Sequence, residues 1–158
     1  MAIAVISIAA ACGSTPSSNA SASPSPASSP SPSPNAAAGG TTIAVATNAK
    51  LGQILVDGKG MTVYLFVADT GTSSTCYSSC AQLWPPVLTT GAPQTGTGAT
   101  ASLLGTTTRT DGKVEVTYAG HPLYYFVQDK QPGDTTGQGV NGFGGLWWVL
   151  TPSGAAMH

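Results

Sequence analysis

A chain of 158 residues with a net charge of −1 and only 7% charged side chains suits one domain and lacks the basic patch that nucleic-acid binding demands. Its first 49 residues hold no Asp, Glu, Lys or Arg, and every charged side chain falls from Lys50 onward. Abundant Gly, Thr and Ser favour an extracytoplasmic β-protein over a cytosolic helical enzyme.

Met1 to Ala11 is apolar and ends Ala9-Ala10-Ala11-Cys12. It is too short for a membrane-spanning helix, which needs about 20 residues, but fits the apolar part of a signal peptide with small residues before the cleavage point. The cysteine in that place is similar to a bacterial lipobox, although Ala9 stands where leucine is usual and no basic residue precedes it. Residues 1–12 are therefore read as a leader remnant, with Cys12 as the lipidation site and the membrane as a partner through that lipid. The alternative is a cleaved secretory signal with an unmodified cysteine. Residues 13–40 are rich in Ser, Pro and Ala and have too little apolar surface to offset ordering entropy. They are expected to be a disordered tether, about 80 Å long if extended as polyproline II.

The folded part is expected over residues 41–154. Thr42–Ala46 and Gly52–Val56 read as short strands, Asp57-Gly58 as a turn, and Met61–Ala68 as a strand. Val63, Leu65 and Val67 alternate there with Tyr64, Phe66 and Ala68, so both faces are apolar, as in a strand between two packed layers or inside a small barrel. Thr75–Leu83 is the one helical candidate, ended by Trp84-Pro85-Pro86. Thr106–Thr110 and Lys113–Tyr118 flank Asp111-Gly112, a type I′ hairpin signal. The alternation Val114-Glu115-Val116-Thr117 predicts one buried and one wet face. Leu146–Leu150 is the last strand. The class expected is all-β, a small sandwich or barrel.

Tyr64-Leu65-Phe66-Val67-Ala68-Asp69 and Tyr124-Tyr125-Phe126-Val127-Gln128-Asp129 share one pattern sixty positions apart. Each follows a glycine turn, at Gly60 and Gly120, and precedes a tryptophan. Such a duplication predicts two pseudo-symmetric repeats, at about 43–90 and 101–152, each burying the other's apolar face. Trp84 is then expected close to Trp147.

These two motifs, with Cys80–Pro86, Val116–Tyr124, Pro132–Thr135 and Leu146–Pro152, resemble the bacterial predicted lipoproteins named for a Y-x-[FWY]-x-x-D motif, also called a secreted repeat of unknown function. The resemblance covers roughly residues 43–154. It implies an envelope lipoprotein with two repeats and no established activity.

Three constellations bear on chemistry. Cys76 and Cys80 are spaced C-x-x-x-C; with Cys12 lipidated they are the remaining pair, and a structural disulfide is the default outside the cytosol. The rival is a soft-metal (copper) or redox centre of Cys76, Cys80 and His121, with Met61 as an added thioether. Asp69 and Asp129 are expected to close their strands as Asx turns, accepting from N–H groups two residues on; a hydrolase using them as an acid–base pair is the third reading. Gly137–Gly142 spells G-x-G-x-x-G, but the strand–turn–helix context of a dinucleotide site is missing, so it reads as a surface loop. Trp84, Trp147 and Trp148 are candidates for stacking on sugars or for the core. The expectation is a non-catalytic, lipid-anchored envelope protein with no cofactor and an envelope protein or polysaccharide as partner.

Overall fold

A computed structural model describes residues 39–158. The leader, Cys12 and the tether up to residue 38 lie outside the described residues.

The fold is all-β, built as three small three-stranded sheets. In the first, β1 (Thr42–Asn48) pairs antiparallel with β2 (Gly52–Asp57), and β4 (Gln94–Thr95) adds parallel to β1. Asn48 closes the β1–β2 turn: its Oδ1 accepts the N–H groups of Lys50 and Leu51 at 2.8 and 3.0 Å, an Asx device that spares the turn its unpaired donors. In the second sheet β5 (Leu104–Thr108) pairs with β6 (Val114–Tyr118), which also pairs with β7 (His121–Pro122). The third has the order β3 (Tyr64–Phe66), β9 (Gly145–Val149), β8 (Asn141–Gly142).

The two halves share a set of backbone contacts. At the centre Tyr64 and Tyr124 exchange both backbone hydrogen bonds, at 2.9 and 3.0 Å. Such a reciprocal antiparallel bridge has a local two-fold axis. Around it, Val67 N–H donates to Leu146 O (3.0 Å) as Val127 N–H donates to Leu83 O (3.1 Å). Leu55 N–H donates to Leu150 O (3.0 Å) as Val116 N–H donates to Val87 O (2.8 Å). Gly60 and Gly120 both sit at φ +83°, a backbone region that costs glycine nothing and other residues strain.

Several elements differ from the sequence-based expectation. The first motif strand is only Tyr64–Phe66; Asp69 N–H then donates to Phe66 O at 3.1 Å, and the turn leaves Val67 exposed. The second motif forms no named strand. Tyr124 bridges Tyr64 and Pro86 singly, because Pro85 and Pro86 occupy the places that Trp148 and Val149 hold opposite β3 and have no N–H to donate. The helix is Ser79–Leu83, one turn. At Asp111-Gly112 only Gly112 has positive φ (+80°). With Gly112 N–H donating to Arg109 O and Arg109 N–H to Lys113 O, the connection is a three-residue loop with a glycine bulge rather than type I′. The type I′ pattern of two positive φ values occurs instead at Phe143 (+56°) and Gly144 (+92°), between the paired Gly142 and Gly145. A phenylalanine there costs about 1–2 kcal/mol against an extended position.

β3 lies between two packed layers, as its doubly apolar sequence predicts. Tyr64 and Phe66 enter an aromatic cluster with Trp84, Tyr124, Phe126 and Trp147. Val63 and Leu65 enter an aliphatic one with Ile43, Leu55, Val116, Leu123 and Leu150. Gly137 opens the G-x-G-x-x-G stretch under the aromatic cluster; a Cβ there would lie 2.7 Å from the Trp84 ring and 2.9 Å from Tyr64. That glycine is needed for packing.

Candidate functional site

The duplicated motifs are interlocked. The Tyr64 hydroxyl donates to Oδ2 of Asp129, and the Tyr124 hydroxyl donates to Oδ2 of Asp69, each at 2.6 Å. Each tyrosine thus engages the other repeat's aspartate. The remaining oxygen of each carboxylate ties down a loop. Asp69 Oδ1 accepts the N–H and hydroxyl of Thr75 (2.7 and 2.8 Å), and Asp129 Oδ1 accepts the same groups of Thr136 (2.9 and 2.5 Å). Asx turns two residues on do occur, at Asp57 and Asp111, but not at the motif aspartates. Their loops arc away and return six or seven residues later, so the expected capping is corrected to loop closure plus an inter-repeat bond.

Burial, and then the facing Asp129, pushes the Tyr64 phenol far above its usual range. Burial, followed by the charge of Glu115 and the bond to Asp69, does the same for Tyr124. Both phenols stay protonated donors throughout the physiological range. Next to them four rings stack: Phe66 on Trp147 (4.0 Å between centroids), Trp147 on Trp84 (4.0 Å) and Trp84 on Phe126 (4.2 Å). Tyr64 meets Trp84 edge-on at 5.3 Å, and Tyr124 meets Trp147 at 5.2 Å. The expected approach of Trp84 to Trp147 is a stack within the core. Both are fully buried and present no face to a sugar; Trp148 is half-buried against His158.

Cys76 and Cys80 form a disulfide with Cα atoms 5.2 Å apart, bracing the loop that leads into the helix and Trp84. On the chain-entropy estimate so short a ring contributes about 2 kcal/mol. Cys76→Ser with Cys80→Ser should lower stability by about that amount while the aromatic near-ultraviolet dichroism persists at low temperature; an unchanged melting temperature would contradict it. Joined sulfurs offer no thiolates. His121 sits elsewhere, half-buried at a depression it shares with Leu65, Val67 and His158. Among the described residues no three His, Cys, Asp or Glu side chains gather as a metal-holding group, so Cys76, Cys80 and His121 are not brought together as a centre.

One cluster went unforeseen. Arg109 and Glu115, 3% and 0% exposed, form an ion pair of 2.7 Å. The guanidinium also donates to Ser74 Oγ (2.7 Å) and Cys76 O (2.6 Å), and lies 4.4 Å from the Tyr77 ring centroid. Burial lifts the Glu115 carboxyl to about 7 against the pull of Arg109. The expected wet face of β6 is therefore covered, and Val114, from the supposedly buried set, is 37% exposed. The alternation is real, but Arg109 folds over the polar side. In the first repeat the matching position is Ile54, buried in the aromatic cluster; the polar pair exists in one half only.

No curated protein and no solved structure shows significant similarity to the chain. A family model described as a secreted repeat of unknown function matches it twice, over residues 45–88 and 105–151. Those spans are the two halves whose contacts recur across the Tyr64–Tyr124 bridge, and together they cover more than half of the chain. This protein belongs to the family of secreted repeats of unknown function, with two copies of the repeat folded into one another.

Proposed function

We propose that this protein is a non-catalytic module of the bacterial cell envelope, held outside the cytoplasm by a lipid on Cys12 and a Ser/Pro-rich tether. Its task is to bind or brace another envelope component, a protein or a polysaccharide. The observation carrying this reading is the internal engagement of the motif. Each carboxylate accepts three hydrogen bonds from its own loop and the opposite tyrosine, which leaves neither Asp69 nor Asp129 free as a general acid or base. Membership of a secreted family supports the extracellular location, and the disulfide suits an oxidising compartment. Among the described residues no helix is long and apolar enough to cross a membrane. One acyl chain binds membranes only marginally; a multiply acylated cysteine gives stable anchoring. Mass spectrometry of membrane-extracted protein is expected to find a mature N-terminus at an acylated Cys12. A mature form beginning elsewhere and released to the medium would overturn the anchor.

A further inference from the structure

The two repeats differ at one exposed corner. Val127 and Leu83, joined by a backbone hydrogen bond, are half-buried. Their counterparts Val67 and Leu146, joined in the same way, are 55% and 36% exposed. Beside them the β8–β9 turn carries Phe143, 47% exposed at φ +56°. A Cβ on Gly142 or Gly144 would meet nothing within 4 Å, whereas one on Gly145 would press on Phe66 and Ala68, so the turn is seated at its base and open at its tip. Asparagine is the residue this backbone favours at that place. A solvent-exposed phenyl held in strain, next to two open aliphatic side chains, makes no contribution to folding that asparagine would not improve.

We infer that Phe143, Val67 and Leu146 form a membrane-docking corner that inserts shallowly into the lipid bilayer. The occupant follows from charge and from the chain outside the described residues. Thr135 to Met157 contains no Asp, Glu, Lys or Arg, and neither does Gly60 to Ala68. Asp69 lines the same depression as Val67, with its carboxylate held by Thr75 and Tyr124; the two segments themselves add no charge to the corner, unlike the charged rim of a protein interface. Uncharged apolar loops with an aromatic tip suit the acyl–headgroup boundary. The 38 residues before Gly39 include Cys12 and a Ser/Pro/Ala-rich stretch long enough in sequence to serve as a tether. Tethering holds the domain near the bilayer at an effective concentration on the order of millimolar, so a weak contact suffices. In this respect alone the inference rests on the lipid-anchor reading.

The test uses the full chain carrying Cys12→Ser, which removes any lipid, with and without Phe143→Asn. Each is sedimented with phosphatidylcholine vesicles; the apolar N-terminal segment contributes equally to both. Phe143→Asn is expected to lower partitioning on the order of tenfold while raising the melting temperature by about 3 °C. The Phe143-dependent part should survive about 1 M salt. Equal partitioning of the two chains overturns the inference. So does binding that requires phosphatidylglycerol and vanishes in salt. Self-association that Phe143→Asn abolishes, without vesicle binding, would overturn it in favour of a second copy. Lipidation of Cys12 is read separately by mass, so failure here leaves the anchor standing.

Discussion

Tyr64→Phe is expected to destabilise the domain by about 2–3 kcal/mol, and Tyr124→Phe by only about 1 kcal/mol. The two substitutions delete the same atom from pseudo-equivalent positions, so the difference lies in what each hydroxyl leaves behind. Asp129 is 6% exposed. Without the Tyr64 hydroxyl its Oδ2 is a buried acceptor with no partner, and the Gly137 N–H, which donates to the same hydroxyl at 3.3 Å, loses its acceptor too. Asp69 is half-buried, so water replaces the Tyr124 hydroxyl at Oδ2, and Ser74 Oγ, which also bonds that hydroxyl at 2.8 Å, keeps its bond from Arg109. The phenyl rings remain, keeping their edge-on contacts with Trp84 and Trp147. Urea denaturation of both variants gives the comparison. A cycle of Tyr64→Phe with Asp129→Asn should show coupling of about 1 kcal/mol or more. Equal losses from the two tyrosines, or no coupling, would mean that the crossed bonds do not hold the halves together.

The crossing explains what was legible in the sequence and what was not. The duplication, the glycine turns at Gly60 and Gly120 and the pairing of Trp84 with Trp147 follow from residue types at fixed spacing, because local backbone geometry and the burial of large rings depend little on which partner is met. Partner choice is different. Tyr-x-Phe-x-x-Asp reads the same whether the aspartate caps its own strand or accepts from the other repeat's tyrosine, and only the antiparallel bridge at Tyr64 and Tyr124 decides for the second. Strand length was hidden in a similar way. Tyr124–Val127 has the composition of a strand, yet its neighbour is Pro85-Pro86, which lies forty residues away in sequence and lacks the donors for a ladder.

The burial of Glu115 is invisible in its sequence pattern for a related reason. The polar side of a half-exposed strand and the polar side of a strand covered by arginine share one pattern, since burial of a charge depends on a compensating charge that alternation does not record. The cover comes from Arg109, across the bulged turn that brings it back over β6, and from the Ser74–Tyr77 loop beyond the disulfide. Ile54, at the same place in the first repeat, needs no such cover.

Arg109→Met should accordingly be the most damaging single substitution outside the aromatic stack, lowering stability by about 3–5 kcal/mol near neutral pH. Methionine retains much of the side chain's packing, so the loss is chiefly electrostatic. Glu115 would be left buried without its cation and forced to hold its proton, and Ser74 Oγ and Cys76 O would lose their donor. The dependence on pH identifies the cause. The folded-state pKa of Glu115, about 7, lies above the 4.5 usual for a glutamate. The folded protein therefore binds the proton more tightly than the unfolded chain, and stability linked to it is fully present below 4.5 and lost as pH rises through about 7. Without Arg109 burial acts unopposed, the carboxyl titrates higher still, and the loss extends further into the alkaline range. The deficit of Arg109→Met relative to the parent should thus be smaller at about pH 5 than at about pH 8. Adding Glu115→Ile, which copies Ile54 from the first repeat, should recover most of the stability and remove the pH dependence, as replacing a buried pair by apolar side chains does elsewhere. Thermal melts of the three proteins across that range provide the test. A deficit in Arg109→Met that is constant with pH, or one that Glu115→Ile deepens, would show that the guanidinium acts through its bonds to Ser74 and Cys76 rather than by compensating a buried carboxylate.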